Sequence, residues 1–287
     1  MFRPTGIAAA LTLLLASGTL EGARAQGPDS PSGWSFGVSP YIWLPTIDTT
    51  VKYPVLGGGT ATTTISAGPG DYIPKLHFAA ALAGEVRYDR FSLLTDILYL
   101  SVGTSTANIR SFDFGLTSVP VDRTLTTSTG TNLQSTVWTL AGGYTVAEGN
   151  WGNVDLIAGV RLLAIDSATN FSLALNITRP DGSIALGRTG SLSASKSVWN
   201  GIGGVRGRVY LGDGDWFGGG KFFVPYYFDI GGGGSDPTWQ IFGGVGYEAG
   251  PVGVSVGYRY LSFHQGSNAT IQKMSLGGPI IAANIRF

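Results

Sequence analysis

Apolar and polar positions alternate along most of the chain from residue 77 onward. In one clear segment Val252, Val254 and Val256 share a face, while the opposite face carries Ser255 and Arg259. A period of two predicts a β-strand with one mainly apolar side. The same pattern recurs in at least six segments, at 78–88, 138–146, 154–164, 216–228, 239–248 and 252–261. Its repetition predicts an all-β chain built from hairpins.

Counting the hairpins predicts a single closed antiparallel transmembrane β-barrel of ten strands. They are placed near 34–43, 77–88, 91–102, 133–146, 154–177, 184–211, 216–228, 239–248, 252–263 and 274–287. Twelve strands is the alternative, because Thr60–Ile65 could supply another. The fifth and sixth strands exceed the ~9–11 residues that cross a bilayer, so their hairpin is expected to extend beyond the membrane. Pro40 predicts a bulge or kink in the first strand.

The connections between strands differ in length, and this predicts an orientation. Short turns are expected at 89–90, 148–152, 212–215 and 249–251, and longer loops at 45–76, 104–132, 229–238 and 265–273. In outer-membrane barrels short turns face the periplasm and long loops face outward. Both chain termini of the barrel domain are therefore expected on the periplasmic side.

The first residues predict a cleavable secretory signal peptide over Met1–Ala25, followed by the barrel domain over 26–287. Arg3 precedes an apolar run that is too short to span a bilayer, and the small-x-small sequence Ala23-Arg24-Ala25 closes it. The whole chain has no cysteine, so a sheet rather than disulfides is expected to stabilise a secreted fold.

Composition supports the barrel prediction and excludes one class of partner. The chain has 45 glycines among 287 residues and only 13% charged residues, about half the usual fraction. Its formal net charge is zero, with no basic patch or stripe of the kind that binds nucleic acid.

Several short segments resemble bacterial outer-membrane β-barrel proteins of a largely uncharacterised family. The resemblance is carried by 39–43 (SPYIW), 95–100 (TDILYL), 229–232 (DIGG), 235–240 (SDPTWQ), 257–261 (GYRYL), 277–279 (GGP) and the closing Arg286-Phe287. It spans nearly the whole mature chain and implies a fold and a bacterial outer-membrane location, not a reaction. It also implies that Ile285 and Phe287 form a C-terminal signal for the barrel-assembly machinery. The expected partners are then that machinery, outer-membrane lipid and lipopolysaccharide.

The strand phases place four acidic and seven basic side chains on the inward face. They are Glu85, Arg87, Asp96, Asp155, Arg161, Arg206, Arg208, Lys221, Asp229, Arg259 and Arg286. A lipid-facing Arg or Lys near the midplane would cost roughly 2–4 kcal/mol, which favours the lumen. The first interpretation is a charge network that fills the lumen of a structural or binding protein. The alternative is a narrow, anion-favouring passive channel, although ten to twelve strands lie near the filled end of the size range.

A lipid A-modifying hydrolase is the remaining alternative, and it depends on His264 and Ser267. These residues faintly resemble the His and Ser of lipid A deacylases, but two residues separate them where that family has one. No acid follows to orient the imidazole, so no enzymatic activity is expected. No cysteine–histidine cluster has metal spacing, and no metal or cofactor is predicted. The aromatic residues, Trp34, Trp43 and Trp138 among them, are expected to form girdles at the membrane interfaces.

Overall fold

The structure is a computed structural model that describes residues 33–54, 60–105, 108–109, 123–179, 182–216, 219–233, 236–265 and 271–287. Ten strands form one antiparallel sheet that closes on itself, as predicted. In pairing order they are β1 (Trp34–Trp43), β4 (Leu76–Tyr88), β5 (Phe91–Ser105), β7 (Arg123–Gly149), β8 (Gly152–Arg179), β9 (Gly182–Trp216), β10 (Gly220–Gly233), β11 (Asp236–Ala249), β12 (Val252–His264) and β13 (Ile271–Arg286). The predicted signal peptide lies outside the described residues.

Three further strands of the described chain lie outside the ring. They are β2 (Thr46–Pro54), β3 (Thr60–Ala67) and β6 (Asn108–Ile109), and they extend in that order from the outer end of β13. The segment Thr60–Ile65 is therefore a strand, but it does not enlarge the barrel from ten strands to twelve. A helix α1 (Pro69–Tyr72) and a 3-10 helix (Ile73–Lys75) lead into β4. Neither of these short helices has the length or hydropathy required to cross a bilayer, and no other helix occurs in the described ranges.

The outer surface of the barrel is apolar, and the polar positions face the lumen. In β12 Val254 and Val256 are 56% and 55% exposed, whereas the alternating Gly253 and Ser255 are buried. Large exposed hydrophobic side chains occur on strands all around the ring, among them Phe36, Leu82, Leu93, Leu156, Ile230, Ile241 and Ile281. This arrangement inverts that of a soluble protein and is typical of a surface that meets hydrocarbon.

An aromatic group marks the end of the barrel that carries the short turns. The rings of Trp34 and Tyr88 lie 4.9 Å apart, and those of Phe36 and Phe287 lie 6.2 Å apart. All four side chains are exposed on the outer surface. Such a group at one rim corresponds to part of an interfacial girdle.

The seam between β13 and β1 closes the ring with reciprocal backbone hydrogen bonds. The Phe36 N–H donates to the Phe287 carbonyl at 2.8 Å, and the Phe287 N–H donates back to the Phe36 carbonyl at 3.0 Å. Further along, Gly37 is paired with Arg286 and Trp43 with Ile280.

Strands β7, β8 and β9 are much longer than the rest. The β8–β9 pairing runs without interruption from Gly152↔Val209 to Arg179↔Gly182, as the long predicted hairpin requires. β7 was predicted to begin near residue 133, but it begins at Arg123 and pairs with β8 as far as Ile177. The extension on the long-loop side therefore has three strands instead of two.

Two predicted connections are wrong. The expected turn at 212–215 belongs to β9, which continues to Trp216 and pairs there with Gly220. A register shift before Phe222 and a positive φ at Gly219 accommodate the reversal of the chain, which lies further along than predicted.

The expected long loop at 229–238 is strand as far as Gly233. Glycines suit that position because a Cβ at Gly231 would come within 2.0 Å of the Gly201 carbonyl oxygen.

Candidate functional site in the barrel lumen

A first group of lumen charges lies toward the short-turn end of the barrel. We call Glu85, Arg87, Asp155 and Arg206 the inner charge cluster. Nη2 of Arg87 lies 2.8 Å from a Glu85 oxygen and 2.6 Å from Asp155 Oδ2. Arg206 completes the cluster, with contacts of 2.5 Å to Glu85 and 3.8 Å to Asp155. Two acids face two bases, so the cluster is neutral in itself.

Asp155 is the most enclosed member of the inner charge cluster. Its side chain is fully buried, and it accepts hydrogen bonds from Thr145 Oγ1 at 2.7 Å and from Asn153 Nδ2 at 2.9 Å. A buried carboxylate requires such partners, because an unpaired charge in the interior is very unfavourable.

The inner charge cluster ties together strands on nearly opposite sides of the ring. Arg206 belongs to β9 and Glu85 to β4, so three strands separate them one way around and five the other. Their side chains can touch only by meeting across the lumen. The cluster therefore bridges the lumen at this level.

A second, fully buried pair lies further from the short turns. The two terminal guanidinium nitrogens of Arg161, Nη1 and Nη2, donate to the two oxygens of Asp229, the first at 2.9 Å, and Nε donates to Thr139 Oγ1 at 3.2 Å. Neither side chain of the pair has any exposed surface. Two parallel hydrogen bonds of this kind are the strongest geometry for an arginine–carboxylate pair.

A third group, centred on Arg259, also crosses the lumen. Arg259 in β12 lies 2.8 Å from Asp96 in β5, again with three strands between them on one side and five on the other. The Tyr41 hydroxyl donates to Asp96 at 2.6 Å and accepts from Arg259 at 3.1 Å, while Gln240 accepts from Arg259 at 2.9 Å. Four strands thus converge on one guanidinium.

Trp43 covers this third group instead of joining an interfacial girdle, so its predicted place is wrong. Its ring lies 4.7 Å from the Arg259 guanidinium carbon, and its indole N–H donates to the Gly278 carbonyl at 3.2 Å. The residue shares its face of β1 with the inward-facing Tyr41, and both are buried. A buried cation over an aromatic face gains further stabilisation.

Beyond Trp43, toward the long-loop end, the lumen is apolar. The buried members of this apolar layer come from β1, β2, β7, β8, β12 and β13; besides Tyr41 and Trp43 they are Ile47, Val137, Leu163, Leu261, Phe263, Met274, Leu276 and Ile280. Leu261 and Phe263 continue the inward face of β12 past Arg259, and both are essentially inaccessible to solvent. The apolar layer therefore lies in the lumen above the charged groups.

The remaining predicted charges gather around Glu248 at the short-turn mouth. Glu248 lies 3.0 Å from Arg208 and 3.2 Å from Arg286, and it accepts a hydrogen bond from Tyr210 at 2.9 Å. Lys221 is the cross-strand neighbour of Glu248, with its ammonium 5.9 Å from the Tyr210 ring. Arg286 is the most exposed of the predicted lumen charges. The three basic residues Arg208, Lys221 and Arg286 surround the single acid Glu248, so the excess of positive charge in the lumen lies at this mouth.

The structure thus brings the predicted lumen residues into three separate ion-pair groups and a basic mouth. Sequence reasoning missed Glu248, although it lies in phase with Gln240 on the inward face of β11. It also missed Tyr41, which shares its face of β1 with Trp43, a residue expected at the membrane interface. The apolar layer was missed because Leu261 and Phe263 look the same in a sequence whether they fill a lumen or face lipid.

The other residues considered for chemistry are not brought together. His264 lies 3.3 Å from the Pro237 carbonyl oxygen, and Ser267 falls outside the described residues. Within the described ranges, no group of three histidine, cysteine or acidic residues could hold a metal ion. Ile285 and Phe287 lie on the outer surface beside the seam, and the Phe287 ring is 70% exposed.

Comparison with known proteins finds only distant structural likeness. The outer-membrane protease OmpT of Escherichia coli is 11% identical, with 92% of this chain and 99% of that chain covered at a TM-score of 0.41. Ail, the attachment invasion locus protein of Yersinia pestis, is 8% identical, with 89% and 99% covered at a TM-score of 0.31. OccAB3 of Acinetobacter baumannii is 7% identical, with 88% and 99% covered at a TM-score of 0.24. No protein-family model matches the chain, and no curated protein does. These structural neighbours are bacterial outer-membrane proteins, but at such distances they carry no conclusion about activity or partner.

Proposed function

We propose that the chain is an integral outer-membrane β-barrel with a closed lumen and a structural or binding role. One observation carries this proposal. The inner charge cluster and the group centred on Arg259 each join nearly opposite strands, and the apolar layer lies above both. Side chains from β4 and β9, and from β5 and β12, meet in the middle of the barrel. A solute would have to break these partly buried pairs and then pass the apolar layer.

The membrane location is supported by the apolar outer surface and the aromatic group at the short-turn rim. The outer membrane is supported by the predicted signal peptide. Lipid and lipopolysaccharide then contact the outer surface, and the barrel-assembly machinery reads Ile285 and Phe287. The role is non-enzymatic.

Conductance in planar bilayers tests the closed lumen. We expect no stepwise current from the wild-type protein at voltages at which a trimeric porin conducts in the same bilayers. The matched variant Leu163→Ala/Leu261→Ala/Phe263→Ala removes much of the apolar layer, and Arg206→Ala and Arg259→Ala added to it remove the two ties below it. That combined variant should conduct. Discrete steps from the wild type would refute the proposal.

An anion channel is the second candidate, and the basic mouth around Glu248 favours it. Arg208, Lys221 and Arg286 would raise the local concentration of anions at the short-turn end. This candidate predicts wild-type steps whose reversal potential in a salt gradient shifts toward that of chloride. The variant Arg208→Glu/Lys221→Glu, which reverses the charge at the short-turn mouth, would then shift the reversal potential away from that of chloride.

A further inference from the structure

The barrel wall has a gap between β1 and β4 on the long-loop side. The described pairing of these strands stops at Pro40↔Leu82. Beyond it, residues 41–43 of β1 pair with β13, and residues 76–81 of β4 pair with β5. Pro40 contributes to the break because it has no backbone N–H to donate to a ladder.

The chain direction keeps this gap from being resealed. After Leu44, whose N–H donates to the Pro279 carbonyl at 3.1 Å, the chain continues as β2, which pairs with β13 on one edge and with β3 on the other, and not with β4. No ladder hydrogen bonds between β1 and β4 have to break for this part of the wall to widen. An open strand edge at membrane depth is tolerated only where it lines a cavity or is covered.

A cavity of about 130 Å³ lies directly behind the gap. Its rim is formed by Ile42 and Leu44 on one side and by Ala79 and Ala80 on the other. The apolar layer forms its floor, through Trp43, Leu98, Leu100, Met274 and Leu276. A cavity of this size with an apolar lining is close to the ~150 Å³ engineered cavity that stays dry and binds benzene.

The long-loop end of the cavity is covered by the turn of helix before β4. Tyr72 is buried, lines the cavity and donates its hydroxyl hydrogen to the Pro45 carbonyl at 2.9 Å. Burial raises the pKa of Tyr72 to about 12, so this hydroxyl stays protonated and able to donate at neutral pH. Because Tyr72 covers this end, the cavity is open on the side of the gap between β1 and β4.

The gap faces the hydrocarbon layer at the level of the outer leaflet. A strand tilted by ~45° rises ~2.4 Å per residue along the membrane normal. Ala79 and Ala81 lie nine and seven residues from Tyr88 of the aromatic rim, hence ~17–22 Å above it, within the ~25 Å apolar band. Ile42 and Phe78, which flank the gap on the outer surface, are both strongly exposed apolar side chains.

We propose that this cavity binds the end of an acyl chain from an outer-leaflet lipid, which enters sideways between β1 and β4. Apart from Ser135 and the tyrosine hydroxyls the lining is apolar, the open side meets lipid tails and the other end is covered by Tyr72. The floor is closed, so the chain end is held and not passed through the barrel. This inference deepens the proposed binding role and rests on the proposed membrane location.

Photolabelling of the reconstituted full chain tests the site. The probe is a phosphatidylcholine with a diazirine at the terminal carbon of one acyl chain, in vesicles of otherwise unlabelled lipid. We expect label to be concentrated in the tryptic peptide of residues 76–87. Ala79→Phe, which fills the cavity from its rim, should lower that labelling at least tenfold. Ala158→Phe places the same side chain on the lipid-facing surface of β8 and should leave the labelling unchanged.

Heat-modifiable gel migration shows whether each variant has folded, and Ala79→Leu provides a milder second substitution. Unchanged labelling in both Ala79 variants, or label spread evenly around the barrel, would overturn the proposal. The proposal would also be overturned if added unlabelled lipid failed to reduce the labelling of this peptide while a small water-soluble hydrocarbon did reduce it. Conductance is measured separately. A wild-type current with intact labelling would refute the closed lumen and leave this site standing.

Discussion

Removal of Asp229 should destabilise the barrel more than removal of any partly exposed charge. Asp229→Ala leaves the guanidinium of Arg161 fully buried without its two hydrogen-bond acceptors. Breaking a buried pair from one side costs about 3–5 kcal/mol, which corresponds to a 150- to 5,000-fold change in the unfolding equilibrium. By contrast, Arg286→Ala removes the more exposed partner of Glu248 and should cost no more than about 1 kcal/mol.

The double variant Arg161→Met/Asp229→Leu distinguishes the cost of leaving a buried charge unpaired from the cost of losing side-chain volume. With both charges replaced by apolar side chains of similar size, most of the lost stability should return, since such exchanges are often neutral or stabilising. The assay is reversible urea unfolding in lipid vesicles, followed by tryptophan fluorescence, with the free energy of unfolding taken from each transition. A loss below about 1 kcal/mol for Asp229→Ala, or a double variant as unstable as the single one, would refute this account of the lumen.

Three further predictions concern assembly, chemistry and backbone packing. Phe287→Ala removes an exposed ring beside the seam, and we expect slower insertion by the barrel-assembly machinery, measured as a lower folded fraction on gels of outer membranes; an unchanged fraction would count against the assembly signal. His264→Ala should leave lipid A acylation unchanged by mass spectrometry, and an altered acyl pattern would revive the hydrolase. Gly204→Ala should cost roughly 1–3 kcal/mol, because its Cβ would lie 2.0 Å from the Phe228 carbonyl oxygen, whereas Gly243→Ala meets nothing within 4 Å and should be neutral. Equal urea midpoints for the two glycine variants would contradict this reading of the sheet.

The strands near the end of the chain could be predicted closely from sequence. The predicted segments 252–263 and 239–248 correspond to β12 (Val252–His264) and β11 (Asp236–Ala249). Alternation is strong in these segments, and short turns such as that at Gly250, which has a positive φ, fix their ends. Predictions failed where pairing with a distant strand decides the outcome. β7 begins at Arg123 because β8 is present to pair with it, a fact that its own threonine-rich sequence does not contain.

The sequence was sufficient to predict which charged residues face the lumen, but not which of them pair with each other. Period two places Arg206 and Glu85 on the inward face, yet their contact depends on the stagger of all the strands between them. That stagger is a property of the closed ring. Likewise, nothing local distinguishes Phe263, which fills the lumen, from an aromatic side chain that faces lipid. The gap beside Pro40 was predicted only as a kink, because the loss of pairing also requires the path that β2 takes along β13.

The reciprocal bonds between Phe36 and Phe287 impose an order on how the molecule is made. The two residues are the outermost partners of the ring, so every other strand must be synthesised before they can meet. Their pairing closes the ring, a step that joins residues far apart in sequence and therefore carries a cost in loop entropy. Until that step, two bare strand edges remain available to other chains, the condition that leads to aggregation. An escort that keeps the polypeptide unfolded between translocation and insertion would therefore be a requirement of this architecture.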